Sequence, residues 1–405
     1  MGRVSRSPTP EPSRGVRRSS DVCLRGGGHI SDAAVPRRST TLTGFTTLGL
    51  FWGAWASVLP SVQDATKLSK GGLGIALLFV SVGSVPAMFF IAGPVVARFG
   101  ARAAAYCAAA FAAATTLPGL AGSFPTLVLA LAAAGATSGI FDDAVNANAG
   151  RIEAATGKRL MPLAHGLYSV GILVGAVAAG VARGAGVGRE PILLAVAALI
   201  LLNAFASVGD TAPVHTDQTR AMRLTRPLIV IGLLGAAAFV VEGGTESWSA
   251  LFLTRVHDAS PAVSGLGPGV FGASMAAGRF FGQAAGRVGD RALLVGGAVV
   301  GTAGCLIASL SPDAPVALVG LAIGGAGVSL NAPIIFGVAG RRPDAATAVA
   351  TVTTIGYLGL LIGPPLVGLV AQASSLRVSF LVLAGIAAVV AVVAPRVVGA
   401  QKAPA

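Results

Sequence analysis

Apolar stretches of membrane-spanning length recur along the whole chain, and nothing else in the sequence constrains the fold as tightly. Crossing the hydrocarbon layer takes about 20 helical residues. Twelve stretches of that order fall near 40–60, 72–97, 102–122, 125–149, 162–182, 190–209, 227–253, 262–285, 292–311, 315–340, 346–371 and 377–398. Lipid offers the backbone no hydrogen-bond partners, so each stretch is expected to be a helix. The alternating ten-residue pattern of a membrane barrel is absent. Charge agrees: 11% of the 405 residues are charged, against roughly 25% in soluble proteins. A secretory leader does not explain the pattern, because the runs continue to Val398 and the first begins after a Ser/Pro/Arg-rich tail without a cleavage signature. The expected fold class is an all-α membrane protein of twelve transmembrane helices.

Basic residues orient it. With the N-terminal tail in the cytoplasm, 22 of the 29 Lys and Arg fall in cytoplasmic segments. Lys67, Lys70, Arg183, Arg189, Arg255 and Arg377 fall outside, and Arg279 lies within the eighth stretch. That bias puts both termini in the cytoplasm of a bacterial inner membrane. The formal net charge of +13 is then mostly topology and not a nucleic-acid footprint. The basic tail reads as disordered, with contact to anionic lipid as the alternative. Cys23, Cys107 and Cys305 follow no metal or redox spacing.

The chain repeats itself. "GPVVARFGAR" (Gly93 to Arg102) and "GQAAGRVGDR" (Gly282 to Arg291) align Gly93, Arg98, Gly100 and Arg102 with Gly282, Arg287, Gly289 and Arg291. "GATSGIFDDAVNANAGR" (135–151) echoes "GAGVSLNAPIIFGVAGR" (325–341) at both ends, and "VGILVGAVAAG" resembles "LGLLIGPPLVG". These echoes divide the chain into a tail (1–39), a six-helix bundle (40–209), a polar cytoplasmic linker (210–226), a second six-helix bundle (227–398) and a C-terminal tail (399–405). Parallel repeats of this kind hold a substrate site between the halves.

Two six-helix halves, each with a G-x-x-x-D-R-x-G-R-R-like loop after its second helix, resemble the major facilitator superfamily. "DDAVNANAGRIE", "AHGLYSVG", "EGGTESWSALFL" and "TTIGYLGLLIGPPLVG" are similar to fucose-permease-like and uncharacterised bacterial inner-membrane carriers. The resemblance implies a secondary active transporter working by alternating access. It also implies a loop acid that helps hold the cytoplasmic side closed, yet Ala97 and Gly286 stand at that place. The remaining loop arginines either bond carbonyls at helix C-termini or merely set topology. Fucose-type symporters are implied to use acids in helices one and four. Helix one here has none, so transfer of that scheme rests on Asp142 or Asp143.

An ionisable group inside a membrane helix costs at least ~2.5 kcal/mol on insertion scales and needs a reason. Asp142 lies nine residues before Arg151, roughly 13 Å at ~1.5 Å per residue. Adjacent residues point ~100° apart, so one of Asp142 and Asp143 should face a cavity and the other a neighbouring helix. Asn146 shares the Asp142 face. If the following turn centres near Ala155, His165 comes level with Asn146, and Tyr168 with Asp142. Such a cluster could take up a proton, or act as a polar clasp between helices four and five. Glu242, beside Gly243 and Gly244 in the seventh stretch, is the second proton-coupling or substrate carboxylate. Glu246 and Trp248 read as closer to the outer interface.

Trp52 and Trp55 share a face near mid-membrane and either stack on a ligand or pack. Asn331, at the depth of Asp142, is expected to bond in the cavity. Tyr357 precedes Gly363-Pro364-Pro365 on a helix expected to kink. Arg279 is expected to snorkel to the cytoplasmic interface, with pairing to Glu242 or binding of an anionic substrate group as the alternatives. "GPGVFG" (267–272) fits G-x-G-x-x-G but lacks its strand–turn–helix setting. No motif supports an enzyme, a cofactor or a metal site. The expected function is transport of a small organic solute, proton-coupled by default, by a monomer in the bilayer. A non-transporting membrane sensor is the alternative, and an ATP-driven permease subunit fits less well.

Overall fold

The computed structural model describes residues 1–2, 35–210, 224–284 and 288–398. Regular structure among them is entirely helical. The first part holds α1 (Arg38–Thr66), α2 (Lys70–Ala87), α3 (Gly93–Phe99), α4 (Ala103–Leu120), α5 (Phe124–Thr156), α6 (Met161–Gly184) and α7 (Arg189–Ser207). After the linker come α8 (Arg226–Val256), α9 (Pro261–Ala284), α10 (Asp290–Leu310), α11 (Ala314–Val328), α12 (Asn331–Gly340), α13 (Ala345–Ala373) and α14 (Leu376–Val397).

Short polar residues start several of these helices. Ser69 accepts from the Gly72 N–H at 3.1 Å, Asp313 from Val316 at 2.9 Å, and Ser375 from Val378 at 3.2 Å. Each satisfies a donor the helix start leaves open. Lys67 and Gly157 end α1 and α5 with positive φ, 54° and 67°. At Gly157 that left-handed stop favours a residue without a Cβ.

Ten helical stretches among the described residues are long and apolar enough to cross a bilayer, so the chain is an all-α, multi-spanning membrane protein. Two of the twelve expected segments do not emerge as separate apolar spans. The second and third run on as one 51-residue stretch, Lys70–Leu120, jointed by a π-turn at Met88–Ala92 and a 3-10 turn at Gly100–Arg102. The eighth, α9, carries six glycines and two prolines and falls short on apolarity.

Small residues set the packing. α1 lies on α6, α2 on α5, α8 on α13 and α10 on α11. At the α1–α6 crossing, a Cβ on Gly49 or Gly53 would collide with the α6 backbone, and one on Gly171 or Gly175 with α1. Without a hydrophobic drive between helices in lipid, such close backbone approach is what holds pairs together. Apolar side chains such as Phe90, Leu129 and Phe281, all more than 70% exposed, form the lipid-facing surface. α6 packs on α1 and α9 and only grazes α5, which departs from the expected clasp between the fourth and fifth segments.

The tail, linker and C-terminal segment fall almost wholly outside the described residues, as does Cys23. Asp210 is described and belongs to the first bundle: it accepts from Arg37 Nε at 2.9 Å and from Thr40 Oγ1 at 2.7 Å, tying the start of α1 to the end of α7. Cys107 and Cys305 are buried, unpaired thiols.

Candidate functional site

A cavity of about 450 Å³ lies between helices of the two halves. α5 supplies Asp142, α1 supplies Trp52 and Trp55, and α6 supplies His165 and Tyr168. From the second half come Glu242 on α8 and Tyr357 on α13. The structure thus brings seven of the sequence-derived candidates to one space. Asp143 does not line it; its charge lies near Cys107 on α4, as the ~100° step between neighbours requires. Asn146 is also off the wall and acts on Asp142, donating to its Oδ1 at 3.0 Å and to its backbone oxygen at 2.9 Å.

His165 and Tyr168 reach the cavity from a different place than expected. α5 continues to Thr156 and the turn spans 157–160, so α6 starts later than a turn centred at Ala155 would allow. His165 packs edge-on against Phe45 of α1, ring centres 5.2 Å apart. Asn331 is a correction. It is 2% exposed, lies outside the cavity lining, and its Oδ1 has no partner. The helix breaks at Ser329–Leu330, between α11 and α12, which resets the facing of Asn331 toward Gly297 on α10.

Two cavity residues were read otherwise in the sequence. Arg279 on α9 does not snorkel away: it lines the cavity with Nη2 3.5 Å from Glu242 Oε1. Glu246 lines it too, one turn past Glu242 on the same face. That i, i+4 spacing was the available signal. α8 continues to Val256, ten residues or roughly 15 Å beyond Glu246 at ~1.5 Å each, which sets Glu246 well inside the span. Trp248 is no belt residue. It is fully buried, and its indole N–H donates to the Pro364 carbonyl on α13 at 3.0 Å.

The halves meet around this cavity mainly through α6–α9 and α2–α13. Gly180 abuts Pro261 and Gly265, Gly74 abuts Gly368, and Arg255 on α8 pairs with Asp64 on α1. Further along α2 and α13, a second cavity of about 270 Å³ separates 81–86 from 354–361.

The first basic loop has a backbone rationale at Gly100, whose φ of +62° with ψ of −139° suits glycine alone. Gly93 opens α3, and Gly289 caps α10 with an ordinary φ of −66°. Gly282 abuts Leu330. Arg98 lies over the Phe99 ring at 5.6 Å; Arg102 and Arg291 are exposed. None of the three donates a hydrogen bond to a described residue. The loop is held instead from α5, where Asn148 donates to the Ala101 carbonyl at 3.2 Å and is itself bonded by Arg151. Arg287 and Gly286 lie outside the described residues.

A multi-spanning helical protein with a cavity between its halves that carries acidic, basic and aromatic side chains fits the class of membrane solute carriers. Comparison with known proteins gives the family. The pattern of the Major Facilitator Superfamily matches residues 40–345 and 233–404. An uncharacterised MFS-type transporter of Yersinia pestis is 33% identical over 356 residues, covering 85% of this chain and 92% of its own. Among solved structures, the nucleoside transporter NupG superposes with a TM-score of 0.73 at 13% identity, over 89% of this chain and 100% of that one. The Escherichia coli fucose:proton symporter FucP superposes at 0.60 and 16%, over 90% and 98%. The chain belongs to the Major Facilitator Superfamily and is a secondary transporter of small solutes.

Proposed function

We propose that the protein is a proton-coupled transporter of the bacterial inner membrane that moves a small organic solute by alternating access. One observation carries this reading: carboxylates from α5 and α8, in opposite halves of the chain, line a single cavity. Counting Lys70–Leu120 as two spans and adding α9 to the ten apolar stretches gives twelve. Six fall in 40–209 and six in 227–398, joined by 210–226, with tails 1–39 and 399–405. Both termini are then cytoplasmic, and one chain encloses a complete path as a monomer.

Asp142 is the coupling carboxylate, with Asn146 steadying it. Glu242 is the second group, paired with Arg279. Asp143 supports from behind, and His165 is an additional proton acceptor on the wall. Trp52, Trp55, Tyr168 and Tyr357 grip the solute. The contacts between halves gather at the end bearing Lys67, Lys70, Arg183 and Arg255, the outer side by charge bias. The conformation is therefore closed outside and open to the cytoplasm. The loop glycines and Arg98, Arg102, Arg287 and Arg291 form the cytoplasmic gate. FucP is described as a fucose:proton symporter and NupG as a nucleoside transporter, which favours a small ring-bearing solute and a proton as driver.

The test is Asp142→Asn in proteoliposomes. Uphill uptake or extrusion should vanish while solute exchange continues. Gradient-driven accumulation at the wild-type level in that variant would remove Asp142 from the coupling step.

A further inference from the structure

We propose that the solute is an organic cation, an ammonium group on a flat apolar body, and that Glu246 receives its charge. The proposal rests on reading the central cavity as the transport site. Three carboxylates line that cavity, Asp142, Glu242 and Glu246, against Arg279 and His165 as the basic side chains on the wall. Even with His165 protonated, acids outnumber bases three to two.

The three acids are not equivalent. Glu242 is answered by Arg279 at 3.5 Å. Asp142 accepts a hydrogen bond from Asn146 on its own helix at 3.0 Å. Among the described residues, nothing bonds or pairs with the Glu246 carboxylate; its backbone oxygen alone is engaged, by Ser249 Oγ at 3.1 Å. Glu246 stacks one turn from Glu242 on the same face of α8; the single guanidinium near both is within ion-pair distance of Glu242 and acts on Glu246 only through space, without a direct contact.

A carboxylate held in a protein cavity at membrane depth without a direct ion-pair partner is costly, and either a proton or a cationic ligand relieves that cost. An anionic solute would add repulsion to its own desolvation, and a neutral one would offer Glu246 no charge to pair with. A cation offers one. The wall suits the rest of such a molecule, because Trp52 and Tyr168 from the first half and Phe239 and Tyr357 from the second line it with aromatic side chains, the residue types that hold a cation and its flat body.

The test uses purified protein in nanodiscs and the fluorescence of Trp52 and Trp55, with the buried Trp248 as constant background. The probes are benzyltrimethylammonium, its neutral carbon isostere neopentylbenzene, and phenylacetate. The cation should quench saturably and bind about tenfold or more tightly than the isostere. Glu246→Gln should remove that preference, and Glu246→Asp, which keeps the charge, should retain it. Both variants should elute as the wild type on size exclusion. Equal or tighter binding of the neutral or anionic probe, absence of quenching by the cation, or an unchanged preference in Glu246→Gln would overturn the assignment. Transport is read separately. A neutral or anionic solute carried uphill would overturn the cation and leave the transporter standing; cation binding without movement of any solute would do the reverse.

Discussion

Replacing Gly180 by alanine should prise open the side of the protein proposed above to face outward. The new Cβ would lie 2.9 Å from the Pro261 carbonyl oxygen and 3.0 Å from the Gly265 Cα, where ordinary contact begins near 3.4 Å. Both neighbours are backbone, so no side chain can swing away, and α6 and α9 must part by several tenths of an ångström. Overpacking of this kind costs about 1–3 kcal/mol. Only the state in which α6 and α9 close bears that cost, so the closed-to-open ratio should fall about 5- to 150-fold. Spin labels on Val187→Cys and Ser260→Cys, at the outer ends of the two halves, would report the distribution of distances. Gly180→Ala should add or enlarge a long-distance population. Gly385→Ala, where an added Cβ meets nothing within 4 Å, should leave it unchanged. An unaltered or shortened distribution in Gly180→Ala would refute the view that this contact closes the outer side.

Three other perturbations follow from named contacts. Trp248→Phe removes the donor to Pro364 and should lower the thermal midpoint in detergent by the equivalent of about 0.5–1.5 kcal/mol, the net contribution of one hydrogen bond. Asp210→Asn should loosen the α1–α7 clamp and speed proteolysis near residue 37, with a modest effect on melting because Arg37 is half exposed and its pairing screened. His257, just beyond α8, bonds Ser311 Oγ at 2.8 Å, and burial first, then Arg377, holds its pKa below the usual 6.5. The folded state prefers it neutral, so its contribution is present above pH 6.5 and is lost as pH falls through the folded value. Melting points should drop on acidification below that pH, and His257→Gln should flatten the drop.

Most of the site was legible because membrane helices leave charged residues few places to go. Asp142 and Glu242 stand out as acids in apolar runs, and both reach the cavity with Trp52, Trp55 and Tyr357. What failed was depth and phase. Glu246 shared the face of Glu242, yet counting from an early helix end set it near the interface; α8 continues to Val256. Arg279 has a side chain long enough for either the interface or a partner, and composition cannot choose between them; the packing of α9 beside α8 does. Asn331 had the right depth on a helix that breaks just before it, and a broken helix carries no phase across the break. The turn after α5 could have been placed better: Gly157 and Pro162 mark a helix stop and a helix start, and the turn between them, 157–160, lies wholly past the centre taken from Ala155.

The central claim, that this cavity couples a solute to protons through Asp142, is tested most directly by metabolite profiling. Cells and medium would be compared for wild type and Asp142→Asn, each with and without a proton uncoupler. The account predicts at least one compound that redistributes across the membrane only with the wild type and a live gradient, giving solute, direction and coupling at once. A redistribution that persists with the uncoupler and in Asp142→Asn would contradict it.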